Sequence, residues 1–402
     1  MEILVQALLL RAGYNATLIA LGAATLGAAA GAAGVFLFLR KRAMVSDAMA
    51  HATLPGVGLA FLAAAALGLD GRNLAWLMFG SAVSAGLGLL AIEAITRRTR
   101  LSEDAAIGAV LSTFFGFGVV LLTLIQTLPT GRRAGLETLL LGSTAGMLYA
   151  DALLILALSL AIAMAIGVLR RPFTLAAFDP AEADVAGWPT RWIDLALLGV
   201  VLAVVVVGLR VVGLILIVAM LVVPGVCARL WSDRIERMVP AAAAVGALSA
   251  YVGVAISVAL PRAPTGAVIV LVCFSVFLMS LVFAPGRGLL AKAIMSRRLA
   301  IRVHLRQGLL ALGREEPVLD RLTVSVLRRA GMIRADGQPT ELGRREASRA
   351  LRDEKRWEVA RRMHPEAALS PRYLGLEDIH TILSKDEIDL IDQQIGLPRP
   401  VA

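Results

Sequence analysis

The chain has 402 residues, 58% hydrophobic and 17% charged, with a mean hydropathy of +0.77 and a net charge of +10. Such a composition excludes an ordinary soluble globular domain and a disordered chain, and points to a polytopic membrane protein. The two cysteines, Cys227 and Cys273, both sit in apolar runs and read as core hydrophobes, not as a disulfide or a redox pair.

Residues 1–14 form a short apolar lead, and no cleavable leader is expected. Apolar spans then recur near 15–39, 45–68, 74–95, 104–127, 149–169, 191–209, 211–230, 238–260 and 264–284, which predicts about nine transmembrane helices. From Pro285 the character changes: 22 of the 40 Lys and Arg and 16 of the 30 Asp and Glu lie in 285–402. The expected organisation is a membrane part over 1–285, a helical stalk over 286–313 and a water-soluble domain over 314–402. With that domain placed in the cytoplasm, the inner loops hold twelve basic residues and the outer ones six, as the positive-inside rule requires. The fold class predicted is therefore an all-α polytopic membrane protein, N-terminus outside and C-terminus inside, with a small cytoplasmic α-rich domain.

The first two spans are dense in small residues, Gly22, Gly27, Gly31 and Gly34 among them. Small-xxx-small spacing lets helices pack closely where lipid offers no hydrophobic drive to associate. The second span opens Met44-Val-Ser-Asp47-Ala-Met-Ala-His51-Ala-Thr-Leu-Pro55-Gly56. Asp47 and His51, four residues apart, share one helix face. Ionisable groups at membrane depth are costly and usually face a wet path or the protein interior. A carboxylate oxygen with an imidazole nitrogen suits a divalent cation such as Mn2+, Fe2+ or Zn2+. Pro55 and Gly56 are expected to break the helix beside the pair and free backbone carbonyls. The alternatives are a helix cap from Ser46 or Asp47 and a hydrogen-bonded core histidine.

Farther along, Glu93 stands one turn before Arg97, an ordinary i,i+4 ion pair, and Asp151 and Asp194 lie near helix starts. The 128–148 connection contains an apolar stretch at Leu136–Gly142 that reads as a short helix dipping into the outer face. The inner segment Phe178-Asp179-Pro180-Ala-Glu182-Ala-Asp-Val-Ala-Gly187 carries the marks of a short helix. Asp179 is its N-cap, Pro180 its first residue, Glu182 the capping-box partner and Gly187 the stop. No Gly-x-x-x-x-Gly-Lys-Ser/Thr occurs, so the chain carries no recognisable P-loop ATPase, and no nucleophile–base constellation marks it as an enzyme.

The motif from Arg40 through Asp47, His51, Pro55 and Gly56 resembles the signature of the permease subunits of manganese/zinc/iron ABC importers, the ABC-3 family. Glu103-Asp104-Ala-Ala-Ile-Gly, the 178–187 segment and Arg210 through Pro224 to Arg229 resemble it too. The resemblance implies a pair of permeases, cytoplasmic ATPase subunits and an extracytoplasmic metal-binding protein, in the cell membrane of a prokaryote. It implies that Asp47 and His51 coordinate the transported ion (Mn2+ favoured, Zn2+ or Fe2+ open) and that 179–187 is the coupling helix. It implies no permanently bound cofactor. A pair alone offers at most about three ligand atoms where Mn2+ takes about six, so water, carbonyls or a partner subunit must complete the shell. The alternative is a gradient-driven secondary transporter or channel, which has no need of the 179–187 helix.

In the tail, 290–312 reads as a basic helix, 314–333 as helical up to Arg329-Ala-Gly331, Asp336–Pro339 as a turn, and helices follow from Thr340 and over about 385–395. Val318–Arg352 resembles the winged-helix part, and Trp357–Pro398 the dimerisation part, of iron-dependent repressors. Asp378 and His380, beside Glu377, are the candidate regulatory metal residues there. DNA is an unlikely partner on charge pattern, and a regulatory role beside the ATPases is the expectation.

Overall fold

The computed structural model describes residues 2–9, 11, 13–68, 73–127, 149–178, 180–185, 187–211, 213–260, 263–364, 376 and 378–396. The 128–148 connection, with its expected external helix, lies outside them, as do Asp179 and Glu377. The chain divides into two compact units, Met1–Leu289 and Leu290–Ala402.

The described elements of the first unit are all helices, joined by short turns. Its elements are α1 (Glu2–Leu8), α2 (Tyr14–Leu39), α3 (Ala43–Ala66), α4 (Leu74–Arg98), α5 (Glu103–Thr127), α6 (Tyr149–Phe178), α7 (Pro180–Val185), α8 (Thr190–Val211), α9 (Leu214–Trp231), α10 (Ile235–Ala259) and α11 (Thr265–Phe283). Among the described residues, eight helices are long and apolar enough to cross a membrane. The seventh of the nine expected spans corresponds to α9, an apolar but shorter helix. These helices make the chain a multi-pass membrane protein.

The bundle is built around α2, which packs against α6, α8, α9 and α10. Glycine sets these approaches. A Cβ on Gly27 would overlap the Gly246 carbonyl, and one on Gly246 the Gly27 carbonyl. One turn along, Gly31 lies against the Ala242 carbonyl, and Gly34 against that of Leu221. Backbones in contact gain dispersion where the hydrophobic effect is absent. Gly22 differs: its nearest neighbour would be 3.9 Å away.

α3 packs on α4 and α5, with α8 and α9 behind it. It is the most enclosed candidate span, 72% of its apolar window being buried against 22% for α11. Ion pairs fasten its base. Arg40, just past α2, donates to Asp194 on α8 and to the carbonyl of Ala176 on α6, the latter at 2.6 Å. Arg42, before α3, meets Glu93 of α4 at 3.4 Å and Glu103 of α5 at 3.0 Å. Glu93 also pairs with Arg97 at 2.7 Å, the expected i,i+4 contact. The left-handed φ of +58° at Lys41 turns the chain between the two arginines.

The second unit holds α12 (Leu289–Gly313), α13 (Arg321–Arg329), α14 (Glu341–Met363), a 3-10 turn (Ile379–Thr381) and α15 (Lys385–Ile395). The helix read as a stalk packs its second half into a core, Leu305, Leu309 and Leu312 meeting Leu327, Ile333 and Ala347. Residues 314–320 are not helical, against expectation. The chain turns at Glu315 (φ +60°), and α13 starts only where Asp320 caps it by accepting from the Thr323 amide. The Asp336–Pro339 turn closes on one antiparallel bridge, Ile333 with Pro339, and no strand occurs among the described residues. A second core joins Trp357 and Ala360 of α14 to Ile379, Leu383, Ile388 and Ile391. Above it Arg356 grips the buried Asp392 through two hydrogen bonds of 2.7 and 2.6 Å.

Candidate metal site

α3 begins at Ala43, with Arg42 as a cap residue that makes no side-chain cap bond. Asp47 is therefore inside the helix and is not its cap. Ser46 is likewise internal and bonds the Ala43 carbonyl at 2.6 Å. At about 1.5 Å per residue, His51 stands roughly 12 Å along a helix of about 36 Å, in its first half.

The i,i+4 spacing brings the two side chains together: His51 Nε2 lies 3.6 Å from Asp47 Oδ1. Asp47 is 47% exposed and His51 19%. His51 Nδ1 is buried and has no hydrogen-bond partner among the described residues, so His51 is not a satisfied core histidine. Its ring meets Phe115 of α5 edge to face, centroids 5.0 Å apart. Met44, Asp47, His51 and Leu59 follow one another at helical spacing. The first three form a partly open stripe along the first half of α3, interrupted at the buried Pro55 before Leu59, while the other positions from Val45 to Gly58 are buried.

Pro55 and Gly56 correct the sequence reading. α3 is not broken there; it runs on to Ala66 with Pro55 inside it. Packing explains its persistence. Gly56 lies against the Gly80 carbonyl of α4, and a Cβ on Gly118 of α5 would stand 3.2 Å from Pro55 Cδ. The proline still acts locally: having no N–H, it leaves the carbonyl of His51 without its i+4 donor. The carbonyl that loses its usual donor thus belongs to the very residue that carries the imidazole.

No group of three or more His, Cys, Asp or Glu capable of holding a metal occurs among the described residues. The pair stands as a two-residue donor set, beside a His51 carbonyl that lacks its usual i+4 donor. A cavity of about 530 Å3 opens nearby between α3, α4 and α5, lined by Pro55, Leu59, Trp76, Phe79 and Phe117. Its lining carries no ionisable group, so a cation has no reason to rest there.

The ABC 3 transport family profile matches residues 14–284. The chain belongs to the ABC 3 transport family. Among its relatives, the manganese transport system membrane protein MntC of Bacillus subtilis is 39% identical over 72% of this chain and 66% of its own length. The zinc transport system membrane protein TroC of Treponema pallidum is 34% identical over 72% of this chain and 95% of its own. Among solved structures, PsaBC from Streptococcus pneumoniae, in complex with Fab, superposes with a TM-score of 0.61 at 28% identity. It covers 71% of this chain and 96% of that one.

In this ABC 3 chain the 178–187 segment forms a helix as expected, α7, starting at Pro180. Gly187 takes a φ of +80° and ends it, and the Trp188 amide returns to the Ala183 carbonyl at 2.9 Å. Ala183 is buried, Glu182 is exposed, and Phe178, Val185, Trp188 and Trp192 present apolar surface around the turn. In the tail, the Asp378 carboxylate receives the His380 backbone amide at 3.1 Å and Arg349 at 3.3 Å. The imidazole of the exposed His380 is not what meets that carboxylate. Sequence reasoning missed Phe115 and both roles of Arg40 and Arg42. The arginines read as topology charges, and nothing in the spacing of α5 marks Phe115 as the ring that faces His51.

Proposed function

We propose that this chain is the membrane permease of an ATP-driven importer that passes divalent metal ions into the cytoplasm, with Asp47 and His51 as the ligands met on the way. The observation that carries the reading is the carboxylate–imidazole pair on the open stripe of an otherwise enclosed α3. Two side chains bind an ion firmly enough to select it and loosely enough to release it. Manganese is favoured, with zinc and iron served by the same donors.

The open stripe is where a second permease brings its own pair, so that two incomplete sets make one shell. α7 and its apolar rim are the docking point for a cytoplasmic ATPase, and a metal-binding protein delivers the ion from outside. The N-terminus is external and the tail cytoplasmic, as the basic inner loops require. The tail is a regulatory domain of winged-helix descent. The turn between α13 and α14, closed by the Ile333–Pro339 bridge, supports that descent. A metal-sensing role for Asp378 and His380 needs ligands beyond those two, and DNA is not the expected partner.

The test is metal uptake by cells or vesicles carrying the assembled transporter. Asp47→Ala and His51→Ala each abolish uptake while the complex still purifies intact. Undiminished uptake in both would overturn the assignment. Uptake that survives loss of ATP hydrolysis would favour a gradient-driven carrier.

A further inference from the structure

A metal-ligating histidine nearly always donates its second ring N–H to a carboxylate, carbonyl or water, which fixes the ring and raises its basicity. Among the described residues His51 has no such support. With Nε2 turned to Asp47, the other nitrogen is Nδ1, and Nδ1 is buried without an acceptor. What stands against the imidazole is Phe115, its plane inclined at 81° to the histidine ring.

The placement follows from helix register. α3 and α5 run side by side in the same direction. Pro55 meets Gly118 and Gly58 meets Leu121, each one turn above the last, and His51 meets Phe115 one turn below. The closeness at Gly118 draws the two helices together and carries the ring onto the imidazole. Phe115 is itself 41% exposed, so it is not held there as a core residue.

We propose that Phe115 is a positioning residue of the metal path. It orients His51 by ring contact alone and withholds the hydrogen-bond acceptor that would make His51 a stronger ligand. The inference rests on the reading that Asp47 and His51 hold the ion. An imidazole positioned this way presents Nε2 in a fixed direction yet stays a weak donor, which suits a site that must let go in every cycle. Support by an acceptor would turn a passage into a resting place.

The experiment places an acceptor where the ring stands. Phe115→Gln and Phe115→Thr are compared with the apolar control Phe115→Leu, in the full chain assembled with its ATPase. Mn2+ and Zn2+ affinities are measured by equilibrium binding, and uptake in vesicles alongside. The acceptor variants are expected to bind metal about 10-fold more tightly and to lose maximal uptake several-fold. The leucine variant is expected to gain no affinity. If both acceptor variants bind metal as the parent and the leucine variant do, the proposal is overturned and Phe115 is packing only. Should one acceptor variant fail to assemble, the other decides. Failure of the metal path itself reads differently, as normal transport by Asp47→Ala and His51→Ala.

Discussion

Arg40, at the end of α2, holds Asp194 of α8 with one arm of its guanidinium and the Ala176 carbonyl of α6 with the other. Both partners of the ion pair are only 15% exposed. Removing the arginine strands a largely desolvated carboxylate, which costs more than the pair itself contributes. Arg40→Ala is expected to destabilise the membrane part by about 2–4 kcal/mol. Arg40→Lys should recover only part, because an ammonium cannot span two acceptors as a fork does. Thermal melting of the purified protein checks this, and recovery in Arg40→Ala combined with Asp194→Ala would identify the stranded charge as the cause.

Pro55 separates stability from transport. Pro55→Ala supplies the amide that the His51 carbonyl lacks, adding a hydrogen bond worth about 1 kcal/mol. The expected outcome is an unchanged or raised melting temperature, with uptake lowered several-fold if that oxygen serves the proposed metal path. Full uptake in that variant would remove the carbonyl from the path.

The seam between α2 and α10 offers a controlled comparison. Gly27→Ala drives a methyl group into the Gly246 carbonyl, with an overpacking cost of about 1–3 kcal/mol or more. Gly22→Ala, with 3.9 Å to its nearest neighbour, should be tolerated. The yield of monodisperse protein from the two variants measures the difference.

Two carboxylates in the tail make it sensitive to acid. Hydrogen bonds from Thr323 hold Asp320 below the usual carboxylate range, and bonds from Ser384 do the same for Glu387. A depressed value in the folded state stabilises above the ordinary value and is lost as the pH falls through the depressed one. The starts of α13 and α15 are therefore expected to loosen below about pH 4 and to be firm at neutral pH. Amide exchange at Thr323 and Glu387 across that range reports it. Ser384→Ala should shift the loosening of α15 to higher pH and leave α13 alone.

Much of the fold could be read directly. Apolar length placed most spans within a few residues, though α6 runs nine residues past the expected end at 169, and the spacing of Asp47 and His51 is itself a statement of geometry on a helix. The helix starts near Thr340 and Lys385 were visible because start signals act within a turn. What escaped was long-range or dependent on packing. Nothing near Arg40 announces Asp194, 154 residues away. Pro55 was read by its local rule, which predicts a break. Gly118 against it, and Gly80 against the adjoining Gly56, let flanking helices close around this stretch of α3, which stays continuous.

Gly27 and Gly31 meeting Gly246 and Ala242 leave α2 and α10 no slack. Neither rod can slip past the other by a turn without first lifting off by the width of a methyl group. In any rearrangement of the bundle the two must travel as a single keel.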